Sequence, residues 1–133
     1  EFRIKGMWYF DKRQGELKYR LLALCPAAPE ARFKNSDNED DKTPIELFWV
    51  YMPEARQLLT DAKSFNNKNS AKPISFDHLL NSRRFNATIY KEANVYGDRE
   101  IERYIPGNAL MQLLESERIK DNIRNFEQDM WSY

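Results

Sequence analysis

The sequence has one cysteine, Cys25, and one histidine, His78. A lone thiol excludes an internal disulfide and any cysteine-rich metal centre. A lone imidazole means that a Ser-His-Asp relay would have to run through His78. The 4 glycines are scattered singly, which leaves no glycine-rich phosphate loop. Net charge is also missing: 21 basic residues cancel 21 acidic ones, so neither nucleic acid nor a polybasic membrane patch is indicated as a partner. No apolar run approaches the ~18 residues of a membrane span, and direct membrane insertion is not expected. No signal-peptide pattern is visible, and the numbering starts at Glu1 without a methionine. Further sequence upstream is therefore expected.

What is present is enough for a core. A chain of 133 residues that is 41% hydrophobic and 14% aromatic reads as a single domain, residues 1–133, whose aromatics need dense packing or partners. In "FRIKGMWYF", Phe2, Ile4, Trp8 and Phe10 share one face of a period-two pattern, with Arg3 and Lys5 opposite. "DKRQGE" supplies a turn with Gly15 at a left-handed position, and "LKYRLLALC" returns as the second strand of a β-hairpin. Pro26 and Pro29 are expected to stop that strand. Residues 30–44 include "KNSDNEDDK", an acidic run without the alternating ligands, glycine and distal glutamate of a calcium loop, and read as a solvated loop with no metal. "IELFWVYM" is apolar on both faces, as in a central strand. Phe2, Ile4, Trp8, Leu47, Trp49 and Tyr51 are accordingly expected on a sheet face covered by helices.

Pro53 opens a short helix through "EARQLLTDA". Ser75 is placed to cap a longer one, "FDHLLNSRRFNATIYKEA", ending near Asn94. Inside that helix the glycosylation-type triplet at Asn86 has no significance. "REIERYI" fits a short edge strand or two helical turns equally well. A long helix closes the chain from about Asn108. Three strands followed mainly by helices predict an α+β fold, a small antiparallel sheet (the hairpin plus a third strand) packed against several helices.

The terminal helix carries two apolar stripes. Leu110, Leu113 and Leu114 centre on one face, while Ile119, Ile123, Phe126 and Met130 point nearly the opposite way. One straight helix cannot press both into one core surface. With no glycine or proline in "LLESERIKDNI" to cause a kink, a continuous helix is expected. Its first half would dock on its own sheet, and its second stripe would meet another part of the fold or a neighbouring subunit.

Signs of chemistry are few. His78 sits beside Leu79 with no ligand-spaced partner, and a structural role outweighs a catalytic one. Cys25, between Leu24 and Pro26, reads as a small buried hydrophobe. Arg83-Arg84 reads as a solvated pair. In "KEANVYGDREIERY", residues 91–104, Glu92, Asp98, Glu100 and Glu102 could pair as acid and base. Lys91, Arg99 and Arg103 are interleaved with them, however, as in a salt-bridged surface. Tyrosine and arginine are the residues that protein interfaces enrich, so Tyr96, Arg99, Arg103 and Tyr104 are expected partner anchors. Their alternative is packing of the tyrosines on their own domain. Two other readings remain: a hydrolase or lyase built on His78 and a carboxylate, and a peptide- or carbohydrate-binding module using exposed Trp8 or Trp49.

Taken in order, "WYFD" at 8–11, "LCP" at 24–26, "LFWVYMPEAR" at 47–56, "RRFNATIYKEANVY" at 83–96 and the ending "ERIKDNIRNFEQDMWSY" resemble the GldN/PorN family of the Bacteroidetes type IX secretion and gliding machinery. None of these motifs is a catalytic signature. The resemblance implies a non-enzymatic periplasmic scaffold without cofactors, associated with the outer membrane through a GldK/PorK-type lipoprotein with which it forms rings. It also implies contact with the periplasmic part of a GldM/PorM-type protein. Family members carry further N-terminal sequence, so this chain would be the C-terminal part. In such a ring, homo-oligomeric contacts would give Ile119, Ile123, Phe126 and Met130 a partner.

Overall fold

In a computed structural model of the chain, the structure describes residues 1–131 apart from 34, 67, 70, 95 and 96. Two long strands, β1 (Phe2–Asp11) and β2 (Glu16–Ala28), form the hairpin. Its turn is held by Asp11, whose carbonyl accepts from the Gly15 N–H at 2.7 Å and whose carboxylate accepts from Arg13 N–H at 2.9 Å. Gly15 adopts φ 66°, as the turn requires. Lys18 Nζ lies 3.0 Å from the Asp11 carboxylate and holds its pKa below the ordinary range.

β2 does not stop at Pro26; it runs through it to Ala28. Glu1 and Ala27 exchange both main-chain bonds at 2.9 Å, so the N–H and C=O of Ala27 face β1 and those of its neighbour Pro26 face the other way. That other side should carry the third strand, and proline has no N–H to donate there. The "IELFWVYM" strand is split accordingly into β3 (Ile45–Glu46) and β4 (Val50–Tyr51). Both pair antiparallel with β2, through Ala28↔Ile45 and Ala27↔Glu46 on one side of the break and Leu24↔Val50 and Ala23↔Tyr51 on the other. Between these registers β2 advances three positions and its partner four, so one extra residue is bulged out. The Pro26 carbonyl accepts from Leu47 N–H at 3.1 Å.

Helix α1 (Met52–Asp61) follows, with Pro53 in its first turn. Strands β5 (Lys63–Ser64) and β6 (Ile74–Ser75) form a separate antiparallel pair that leads into α2 (Phe76–Asn81). Ser75 caps α2 as expected, accepting from His78 N–H at 3.1 Å. The helix is much shorter than its pattern predicts. Asn81 turns its side-chain amide back onto Asp77, and Ser82 donates its hydroxyl to the His78 carbonyl. Such local bonds compete with helix continuation, and Arg83 at φ 55° ends it. Residues 84–90 are outside any helix, Asn86 included. α3 (Ile101–Tyr104) is a single turn, and α4 (Ala109–Trp131) is continuous, with no break at 115–118. The fold is α+β, as expected.

The chain clusters into two compact units, residues 1–7 with 19–85 and residues 8–18 with 86–133. Buried in the first are Leu21, Cys25, Ala27 and Met52; Ile101, Ser116 and Ile119 are buried in the second. In the first unit the Tyr19 ring lies against Gly6, where a Cβ would collide with the phenol. Burial raises the pKa of this tyrosine. Gly6→Ala should therefore displace a ring packed into the sheet and cost ~1–3 kcal/mol. A urea titration in which the midpoint does not move would show that the ring shifts freely.

Candidate interaction surfaces

The sheet edge is the first surface. Phe2 is 77% exposed, Leu47 54%, Phe48 59%, Trp49 42% and Tyr51 58%. Ile4 and Trp8 are half-buried. The helix-covered face expected from Phe2, Ile4, Trp8, Leu47, Trp49 and Tyr51 does not form as such. The bulge opposite Pro26 makes residues 47–49 an uncovered edge. That edge is nevertheless ordered by polar contacts. Arg3, Ala27 and Glu46 lie on one face of the sheet, and the small Ala27 lets the Arg3 guanidinium reach Glu46 Oε1 at 2.9 Å. The other Glu46 oxygen accepts from the Trp49 indole N–H at 3.0 Å. The indole is thereby fixed at one end while much of its ring stays in solvent.

The second surface is built by residues 89–118. The main chain of 89–94 and 97–101 is tied down at several points. Ile89 N–H donates to the buried Ser116 hydroxyl at 3.0 Å, and Ile101 N–H donates to the Tyr90 carbonyl at 2.8 Å. Lys91 and Glu100 form an antiparallel bridge, with Gly97 and Asp98 both at positive φ in the turn. Asn94 braces the turn, its N–H on the Asp98 carboxylate at 2.8 Å and its amide on the Arg99 carbonyl at 3.1 Å. From α3, Tyr104 donates its hydroxyl to Glu115 Oε1 at 3.2 Å, and Arg118 grips the same carboxylate through Nε at 2.8 Å. Arg118 also lies 4.0 Å from Glu92. The Arg118 guanidinium holds Glu115 below the ordinary carboxylate range, whereas burial, with the Glu115 contact, raises Tyr104.

These contacts place each expected anchor. Tyr96 lies outside the described residues. Arg99 and Arg103 are exposed, and among the described residues neither has an ion-pair partner. Tyr104 is half-buried and engaged with α4, which matches packing on its own unit. On α4 the first stripe departs from expectation, and the second, at Ile119, follows one of its two alternatives, cover by its own chain. Ile119, at 1% exposure, is a core residue of its own unit, three positions on from the Ser116 whose hydroxyl holds Ile89 N–H. Ile123 and Met130 are half-buried, and Phe126 is 47% exposed. The leucines expected to dock are the uncovered ones, Leu110 at 66%, Leu113 at 53% and Leu114 at 55%.

Cys25 is fully buried, as a small hydrophobe would be. His78 is exposed, and among the described residues its side chain meets no carboxylate through a hydrogen bond. Among the described residues no cluster of histidine, cysteine and carboxylates converges on a metal position, and no helix is long and apolar enough to cross a membrane. Sequence reasoning missed the exposed Ile45–Tyr51 edge, and Pro26 was the signal that could have located it.

Glu115 gives a pH test. Its folded pKa is depressed, so its contribution is complete above the ordinary glutamate value and is lost as pH falls toward the folded one. Glu115→Gln should therefore destabilise the chain near neutrality, with the difference from wild type shrinking as pH falls. A difference that stays constant through the acid range would remove Glu115 from the pH response.

The sequence matches the family described as "Gliding motility associated protein GldN" over residues 1–132. No curated protein matches the chain.

Proposed function

Because the chain belongs to the GldN family and is thus a component of the gliding-motility and type IX secretion machinery, we propose that it acts there as a non-enzymatic scaffold subunit. It sits in the periplasm and forms an outer-membrane-associated ring with a GldK/PorK-type lipoprotein. It also contacts the periplasmic part of a GldM/PorM-type protein. The observation that carries the reading is the open sheet edge, where Leu47, Phe48, Trp49 and Tyr51 are all exposed and Glu46 fixes the indole. Contiguous exposed apolar side chains mark interaction surfaces, and a pre-fixed aromatic loses little freedom on docking. Exposed Arg99 and Arg103 suit the polar rim of a second contact.

The test is to mix the chain with the purified lipoprotein, and separately with the GldM/PorM-type periplasmic part, and to measure complex mass by light scattering. Removing an anchoring aromatic costs on the order of 2 kcal/mol, about thirtyfold in Kd. Phe48→Asp should lose the lipoprotein complex while the denaturation midpoint stays near wild type. Arg99→Glu or Arg103→Glu should mainly slow association. If no mixture yields a complex larger than its components, the scaffold reading fails.

A further inference from the structure

The bulge opposite Pro26 interrupts the β3–β4 side of the sheet, whereas β1 on the far side runs 10 residues without proline. Its alternation holds from end to end. Glu1 exchanges both main-chain bonds with Ala27, and the Asp11 carbonyl accepts from Gly15 N–H, so the odd-numbered residues face β2 at both ends. The even-numbered ones, Phe2, Ile4, Gly6, Trp8 and Phe10, therefore turn their N–H and C=O outward. Among the described residues β2 is the one strand that pairs with β1. Solvent reaches the outer side. Gly6 is exposed although the Tyr19 ring fills the place of its missing side chain, so what it exposes is main chain.

A regular edge of this kind is a template for another strand, and its side chains say which strand fits. Laid antiparallel to a second β1 about a two-fold axis at Met7, it sets Ile4 against the partner's Phe10 and Gly6 against the partner's Trp8 on one face. On the other face Arg3 meets the partner's Asp11 and Lys5 meets the partner's Tyr9. Met7, 51% exposed, meets the partner's Met7. No like charges face each other, and outward-turned residues pair with outward-turned residues, as a ladder requires. The neighbouring registers fit less well. An axis at Lys5 opposes two ammonium groups, and one at Gly6 opposes two glycines with nothing to pack. An axis at Trp8 leaves Phe2, Arg3 and Ile4 beyond the ladder.

We propose that β1 is a self-association edge, where two copies of this chain pair antiparallel about Met7 and join their sheets into one. The contact is isologous and closes on itself, so any ring must be completed through other surfaces. It uses the edge opposite the one assigned to the lipoprotein and stands independently of that assignment.

The test is light scattering of the chain alone over a concentration series, with main-chain amide exchange followed residue by residue. The mass should rise to twice that of the chain. As it does, the Ile4, Gly6 and Phe10 amides should gain protection, while the Lys5 amide, facing β2, is protected throughout. Met7→Lys and Met7→Asp should each weaken the pair by about a hundredfold in Kd, because like charges then face across the axis. An equimolar mixture of the two should restore it, and the uncharged Met7→Thr should keep it, which separates charge from a damaged strand. A chain that stays at single-chain mass at every concentration overturns the proposal, as does a pair that both charged variants leave intact. A pair that forms while the outward amides exchange unchanged overturns β1 as its site. A pair tightened by Met7→Asp overturns the register, since Lys5 would then be the residue across from it.

Discussion

Pro26 has no N–H, and the edge of the sheet is arranged around that missing donor. Opposite it the third strand cannot continue its ladder, so it separates into β3 and β4 with one residue to spare. The bulge carries Leu47, Phe48 and Trp49 away from regular pairing. It also sets Glu46 where Arg3, reaching over Ala27, and the Trp49 indole can both find it. A flat apolar edge invites indiscriminate pairing with other strands, whereas a bulged edge with a fixed charge presents side chains more than backbone. The same proline therefore exposes the surface and limits what can add to it.

The second unit is organised by a polar contact inside an apolar seam. Ser116 is buried beside Ile119, and its hydroxyl satisfies the Ile89 N–H. An orphaned amide there would cost ~1–3 kcal/mol, so the register of residues 89–90 along α4 is specified as well as stabilised. Above it, Tyr104, Glu115, Arg118 and Glu92 form a partly solvated cluster. Exposed pairs of this kind contribute little each. Their effect is to orient α3 and the 91–104 segment.

How much of this was legible depends on whether the signal was local. The hairpin, the Ser75 cap, the long α4 and the burial of Cys25 follow from patterns within a few residues of each other. The covering of the sheet did not, because the alternation of "FRIKGMWYF" and the apolar run 45–51 say which residues favour a sheet, and not which element lies over them. Pro26 was visible, but its effect falls on a strand some twenty residues away. For α2, the helix was expected to run on to about Asn94, although the positions four residues after Leu79 and Leu80 are Arg83 and Arg84, and the side chains of Asn81 and Ser82 fold back on the helix. Local capping chemistry ended it there. On α4 the geometry of two opposed stripes was readable, and which of them met the core was not. That depended on a serine between them finding the main chain of Ile89.

The hairpin belongs to both compact units, its open end to one and its tip to the other. During synthesis from the N-terminus the tip, residues 8–18, is made first, and the segments it belongs with come only after residue 85. Neither unit can close as an autonomous block of consecutive chain. Contacts so distant in sequence are slow to form, since loop closure precedes any gain from burial. The tip of the nascent hairpin therefore waits, without the rest of its unit, until residues 86–133 follow, and surface left uncovered in that way is what invites aggregation or a chaperone.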